Sequence, residues 1–281
     1  MKLGCINSAW FGSKVEYFEG IQKIKDIGFD TIDIFPKMDF KSYDIKKIKQ
    51  LCEKNNLPII SMTSAYPELI SMEAHVRRFA IDCYKQILDM GVFLDAKNLL
   101  VCFGEYIWEK NVIDPEVQWA YAVEAVQELS DYAEKCGMDI VVELEPFKYS
   151  VVNDIDTMER FLNDVNRKNC LANVDLGHMH VQNIPANEIK RLTGRIGHVH
   201  ISDNDGTVHN DWPTGQGNAD LEGYLKVLHE VGYDGVVSCE LEFSPNPDGI
   251  VEWVTEAYQE TAELMNKLNL RKLEKDSVSS K

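Results

Sequence analysis

Short runs of apolar and β-branched residues alternate along this chain with longer segments whose apolar residues recur at three- and four-residue spacing. The short runs predict buried strands at 3–7, 31–35, 59–63, 98–103, 139–145, 171–175, 196–202 and 235–241. The segments between them follow one helical face, most clearly over 15–27, 72–90, 117–136 and 250–268. Gly28, Gly91, Gly137 and Gly232 stand where helices should stop, since glycine takes the left-handed backbone that closes a helix without steric cost.

Eight strand–helix units in succession, with no long linker and no break in composition, predict a single closed (β/α)8 TIM barrel over 1–270, followed by a frayed tail at 271–281. An open doubly wound sheet would need a glycine-rich phosphate turn after the first strand, and the segment from Asn7 to Gly12 is not one. A barrel directs attention to the C-terminal ends of its strands, where the catalytic groups of such folds gather.

Composition narrows the partners. A length of 281 residues, 44% of them hydrophobic, suits one large core. No apolar run approaches the roughly 18–20 residues that span a bilayer, and residues 1–10 show neither an apolar signal region nor a cleavage site, so no membrane and no secretory route is expected. Seven scattered cysteines without a Cys-x-x-Cys pair fit reduced thiols in the cytoplasm. A formal charge of −17, from 46 acidic and 29 basic residues with no dense basic cluster, repels a polyanion, so nucleic acid is not expected as a partner.

Four successive strand ends carry unusual chemistry. The fifth holds Glu143 and Glu145, the sixth Asp175, His178 and His180, the seventh His198, His200, Asp203 and Asp205, and the eighth Glu240 and Glu242. Because strand side chains alternate, Glu143/Glu145, His198/His200 and Glu240/Glu242 are each same-face pairs. If that face is the barrel interior, carboxylates and imidazoles converge away from water, which is unfavourable without a compensating charge. A divalent cation supplies that charge. Two Glu, one Asp and one His make a hard, oxygen-rich donor set suited to Mn, Mg or Co.

With these residues in view, the chain resembles the xylose-isomerase-like sugar phosphate isomerase/epimerase superfamily, which includes ketose 3-epimerases, hydroxypyruvate isomerases, inosose dehydratases and class II AP endonucleases. The likeness covers nearly the whole chain and is strongest over 137–243. Members place a metal-binding Glu six residues after a helix-ending Gly, which from Gly137 lands on Glu143. A D-x-x-H motif is matched by Asp175 and His178, an H-x-H-I motif with the second His on the metal by His200, and a Y-x-G followed five residues later by Glu by Tyr233, Gly235 and Glu240.

The resemblance therefore implies one divalent ion (Mn, Co or Mg) on Glu143, Asp175, His200 and Glu240. Glu143 and Glu240 double as the carboxylates that remove and return a proton through an enediolate of a keto-sugar, and His178 holds a substrate oxygen. The repeated E-L-E leaves a choice of register. Glycine spacing favours Glu143 and Glu240, with Glu145 and Glu242 facing substrate, although Pro146 after Glu145 matches the E-P that follows the metal Glu in some relatives.

Departures from the family fall on substrate contacts. Ketohexose 3-epimerases follow the strand-five Glu with N-R and another acid, where this chain has Phe147, Lys148 and Tyr149. They also place an Arg after the strand-seven His, where it has Asp205 and Gly206. Lys148, His178 and the 209–217 loop, with His209, Asp211 and Trp212, are then candidates for polar contact with an unphosphorylated sugar. Trp10 is a candidate apolar wall for a sugar face, alongside Phe11. A lyase acting on a related oxo-sugar, inosose dehydratase-like or a C-glycoside-cleaving subunit, would begin with the same proton abstraction and is the alternative reading. A DNA-repair role is disfavoured by the charge and by the lack of His at the ends of strands two to four. A non-catalytic sugar-binding barrel is disfavoured by the intact ligand set. A homo-oligomer and a partner subunit both stay open.

Overall fold

The computed structural model describes residues 1–37, 39–103, 114–242 and 244–272. Phe243, at the end of the strand-eight motif, and residues 273–281 of the expected tail lie outside them. Of that tail, Arg271 donates to the Tyr258 hydroxyl at 3.1 Å and the Lys272 N–H donates to the Met1 carbonyl at 2.9 Å.

Eight parallel strands close on themselves in sequence order: β1 Lys2–Ile6, β2 Thr31–Ile34, β3 Ile59–Ala65, β4 Asn98–Cys102, β5 Asp139–Glu143, β6 Cys170–Asp175, β7 Ile196–Ile201 and β8 Val236–Cys239. The barrel shuts where Gly4 of β1 pairs with Ser238 of β8. Outside it lie α1 Tyr17–Ile27, α2 Ser42–Lys54, α3 Ala74–Leu94, α4 Pro115–Cys136, α5 Ile155–Val165, the short α6 Leu176–Val181, α7 Leu221–Glu230 and α8 Ile250–Lys267. This is the expected (β/α)8 TIM barrel.

Local chemistry sets the helix limits. The Asp154 carboxylate accepts the Thr157 N–H at 2.7 Å and starts α5, and Asp114 followed by Pro115 starts α4. Gly28 and Gly137 end α1 and α4 as their positions suggested. Gly91 does not end a helix. It lies within α3, which runs on to a left-handed Asp95 with φ of 61°. A Cβ at Gly91 would stand 2.8 Å from the Met138 methyl and 3.0 Å from Met62 Cγ, so the glycine serves close packing of α3 against the sheet.

The alternation of strand residues divides the molecule into two environments. One face of each strand (Leu3, Ile32, Met62, Leu99, Ile140, Val174, Val199, Val237) joins the apolar layer between sheet and helices. The other face points into the barrel, and there the buried residues are largely polar: Thr31, Asp33, Ser61, Thr63, Asn98, Asn173, His198 and Ser238. Asp33 braces this interior, accepting the Ser61 N–H at 3.0 Å from β3 and meeting His198 Nε2 at 2.9 Å from β7. Gly4 leaves room for it: a Cβ there would lie 2.5 Å from both Ser238 Oγ and Thr31 Oγ1. Gly4→Ala should therefore lower stability by about 1–3 kcal/mol through overpacking, with helix content unchanged. Urea unfolding followed by circular dichroism measures it, and a neutral result would mean the interior is looser than the contacts indicate.

Candidate metal centre and active site

Strands β5 to β8 deliver one acid or imidazole each to a common point. Glu143 ends β5, Asp175 ends β6, His200 lies in β7, and Glu240 follows β8, held to β7 by its N–H on the Ile201 carbonyl at 3.2 Å. Each offers a ligand atom, and the four atoms lie within 4.8 Å of one another. His200 Nδ1 is 2.9 Å from Glu240, 3.6 Å from Glu143 and 3.8 Å from Asp175.

The electrostatics are those of a centre built around a cation. Burial first, then the neighbouring Asp175, pushes Glu143 well above the ordinary carboxylate range. Burial and Glu143 do the same to Glu240. His200 is driven down to about 3 by burial, with His198 adding to the effect, so its imidazole is neutral and able to ligate. Burial also works to raise Asp175, but His178, His200 and a backbone N–H outweigh it and hold that carboxyl low. Asp175 Oδ2 is buried and accepts no hydrogen bond among the described residues. A divalent ion would supply that oxygen with a partner and offset the repulsion among three carboxylates, so the residues fit such a group.

Beside the cluster stands a second set, His178, His209 and Asp211. The Asp175 carboxylate caps α6 by accepting the His178 N–H at 2.7 Å, which swings the imidazole towards the site. His178 Nδ1 lies 2.7 Å from the Leu144 carbonyl, an obligate acceptor, so this nitrogen carries the proton. Its Nε2 faces His209 Nε2 at 2.9 Å. His209 is 3.3 Å from Asp211, and although burial opposes it, the bond to Asp211 raises the imidazole above its ordinary value. Loop 209–217 reaches the site because Asp203 and Trp212 exchange backbone hydrogen bonds at 2.8 and 2.9 Å. The Asp203 carboxylate further gathers the N–H groups of Gly215 and Ala219.

Other expected residues fall elsewhere. Glu145 is buried beyond the end of β5, its N–H turned to the Val152 carbonyl at 2.9 Å, so it leaves the ladder two residues past Glu143. Glu242 lines a cavity at the mouth between the ends of β1 and β8. Lys148 is exposed, its ammonium 5.3 Å from the Tyr149 ring centroid. Of the aromatic pair after β1, Trp10 is buried, where a side chain on Gly20 of α1 would strike its indole, and Phe11 is the half-exposed member that faces the mouth.

Two contributors escaped the sequence reading. Asn173 donates to Glu143 at 2.7 Å and orients it; its place two residues before Asp175, on the same strand face, was the available signal. Asp33, the brace beneath His198, was visible as a lone acid in the apolar run of β2.

A closed parallel barrel whose last four strands converge acids and an imidazole has the layout of a barrel-class enzyme with a candidate divalent-metal centre. The chain belongs to the xylose isomerase-like TIM barrel family, whose model matches residues 21–268. It is 29% identical over 230 residues to the fructoselysine 3-epimerase of Escherichia coli O157:H7, covering 77% of this chain and 82% of that one. It is 25% identical over 249 residues to the D-psicose 3-epimerase of Ruminiclostridium cellulolyticum, covering 85% and 83%. The solved structure of the IolI protein with a bound zinc atom superposes with a TM-score of 0.83 at 23% identity, over 95% of this chain and 99% of that one, a likeness of fold.

Since carboxylates must lose their protons to ligate, and burial with mutual repulsion raises Glu143 and Glu240, metal uptake should release protons and strengthen with pH. Calorimetric titration with Mn(II) should show affinity rising at least about tenfold between about pH 6 and 8. Affinity independent of pH would mean these carboxylates are not the ligands.

Proposed function

We propose that this chain is a divalent-metal-dependent epimerase of an unphosphorylated ketose or ketose derivative, working in the cytoplasm, with Glu143, Asp175, His200 and Glu240 as metal ligands. The observation that carries the reading is the placement of Glu143 and Glu240 at the two ends of the β5–β8 arc, both within reach of His200, with Glu143 buried and Glu240 half-buried. A cation held there supplies Lewis-acid polarisation of a ketone oxygen and so acidifies the neighbouring C–H. Three carboxylates and one imidazole are a hard donor set, which favours Mn, Co or Mg.

The chain's own groups supply the rest. Glu143 and Glu240 approach a bound ketose from opposite sides: one takes the proton from the carbon beside the carbonyl and the other returns one to the opposite face, inverting that carbon. Asn173 keeps the Glu143 carboxylate in register by its 2.7 Å hydrogen bond. His178, with Nδ1–H fixed on Leu144, presents Nε2 to a substrate hydroxyl, and His209 lies beside it. We assign His209 and Asp211 to sugar hydroxyls, Glu145, Glu242 and Lys148 to the rim, and the apolar contact expected of Trp10 to Phe11. The 3-epimerase names of the relatives support the position of inversion. Seven free cysteines support a reducing compartment, and among the described residues no helix is long and apolar enough to cross a membrane.

Proton exchange in deuterated water, with Mn, Co, Mg or Zn and paired free and phosphorylated ketoses, tests this. Glu143→Gln and Glu240→Gln should each lower exchange by at least about 1,000-fold, whereas Glu145→Gln and Glu242→Gln should keep a full complement of metal. Loss of metal from the second pair alone would move the ligand register by two residues. Preference for the phosphorylated ketose would overturn the substrate assignment.

A further inference from the structure

The end of the barrel opposite the metal centre carries a feature that epimerisation does not use. Where α1 ends and β1, β2 and β3 begin lies a cavity of about 300 Å³, at the lower limit of small-ligand sites. Four basic side chains line it, Lys2, Lys25, Arg271 and Lys272, against one acid among the described residues, Asp30. In a chain with 46 acidic and 29 basic residues, that is a local reversal of sign. The four cations come from the start of β1, the last turn of α1 and the segment after α8, so no cluster in the sequence announces them.

Two of these cations keep donors to spare. The Arg271 side chain is 6% exposed, yet its Nε is buried without a hydrogen bond. Its Nη2 donates to the Tyr258 hydroxyl at 3.1 Å and lies 3.5 Å from Asp30 Oδ1. The other oxygen of Asp30 accepts the Leu3 N–H at 2.9 Å, so this acid leaves Nε unmet. Lys25 makes no ion pair among the described residues. Lys272 pairs with Asp234 and stays exposed, and its own N–H holds the Met1 carbonyl at 2.9 Å. A buried guanidinium donor without an acceptor is unfavourable, and an anion relieves it. A tetrahedral oxyanion carries more charge and more acceptor oxygens than a carboxylate, so it can meet Arg271 and Lys25 together. The size of the cavity and the overall charge of −17 limit the ligand to a small ion and exclude a polyanion.

We propose that this cavity is a binding site for a phosphoryl group, carried by a small phosphomonoester or by free phosphate. Arg271 Nε and the Lys25 ammonium hold its oxygens, and Lys2 and Lys272 add to the attracting field. The bound anion fastens the segment after α8 to α1 and to the start of β1. It is a ligand separate from the ketose, because the carboxylate centre lies at the opposite ends of the strands.

Calorimetric titration of the metal-loaded protein at fixed ionic strength, with inorganic phosphate, glycerol 3-phosphate and acetate as probes, tests this. At least one of the two phosphates should bind at least about tenfold tighter than acetate. Arg271→Gln and Lys25→Gln should each weaken that binding at least about fivefold, and Arg271→Lys should recover part of the loss. Phosphate should also raise the Tm of the unaltered protein more than that of Lys25→Gln. Circular dichroism shows whether each variant is folded. Lys25 has no partner to lose, so its variant keeps the test decisive if those at Arg271 fail to fold. Tight binding of glycerol 3-phosphate supports an ester as the natural ligand, and binding of inorganic phosphate alone supports the free ion. Acetate binding as tight as phosphate, no binding at all, or binding that folded Lys25→Gln leaves unchanged overturns the site. Phosphate binding that disappears with the metal and ignores Lys25→Gln would place the anion at the carboxylate centre and overturn it equally.

Discussion

The mutual repulsion of Glu143, Asp175 and Glu240 inside a closed sheet governs the rest of this structure. Strand alternation points all three inward, and neighbouring strands bring them together where little water can screen them, Glu143 and Asp175 buried and Glu240 half-buried. Protons relieve the repulsion in part, as the raised Glu143 and Glu240 carboxyls indicate. A bound cation would relieve it more fully. The neutral His200 completes a set in which each member is acceptable only in the company of the others.

A barrel that concentrates charge in its interior needs its cohesion elsewhere. Here the apolar burial lies between the sheet and the ring of helices, and the interior is a column of small and polar side chains. Asp33 holds that column together, joining β2 to β3 through Ser61 and to β7 through His198. His198 holds the Asp33 carboxyl below its ordinary range against the opposing effect of burial, and the contact braces the barrel beneath the four-residue cluster. Gly4 provides the space, and the same face two residues further along β7 carries His200.

Around this core, loops decide which molecule is offered to the carboxylates. After β6 and β7 they bring His178, His209 and Asp211 into a polar wall. After β1 and β8 they build the mouth cavity with Phe11 and Glu242. Asp205 turns to its own loop, accepting from Thr207 at 2.6 Å, and Lys148 in the segment after β5 is exposed.

Much of this was determined by sequence alone. Period-two and helical spacing specified eight strands, their order and the closed barrel, because each element must bury one face. Acids and histidines at four successive strand ends indicated where the chemistry lies. The tertiary structure decided matters that depend on where the chain turns. Both E-L-E repeats place two glutamates on one strand face, so pattern alone cannot choose between them. β5 ends at Glu143 and the next turn draws Glu145 towards Val152, whereas Glu240 stays bonded to β7 and Glu242 runs on to the rim. Gly91 had the composition of a helix end and the position of a packing contact. The Asp33–His198 brace joins residues 165 positions apart, and a contact of that range leaves no periodicity to read.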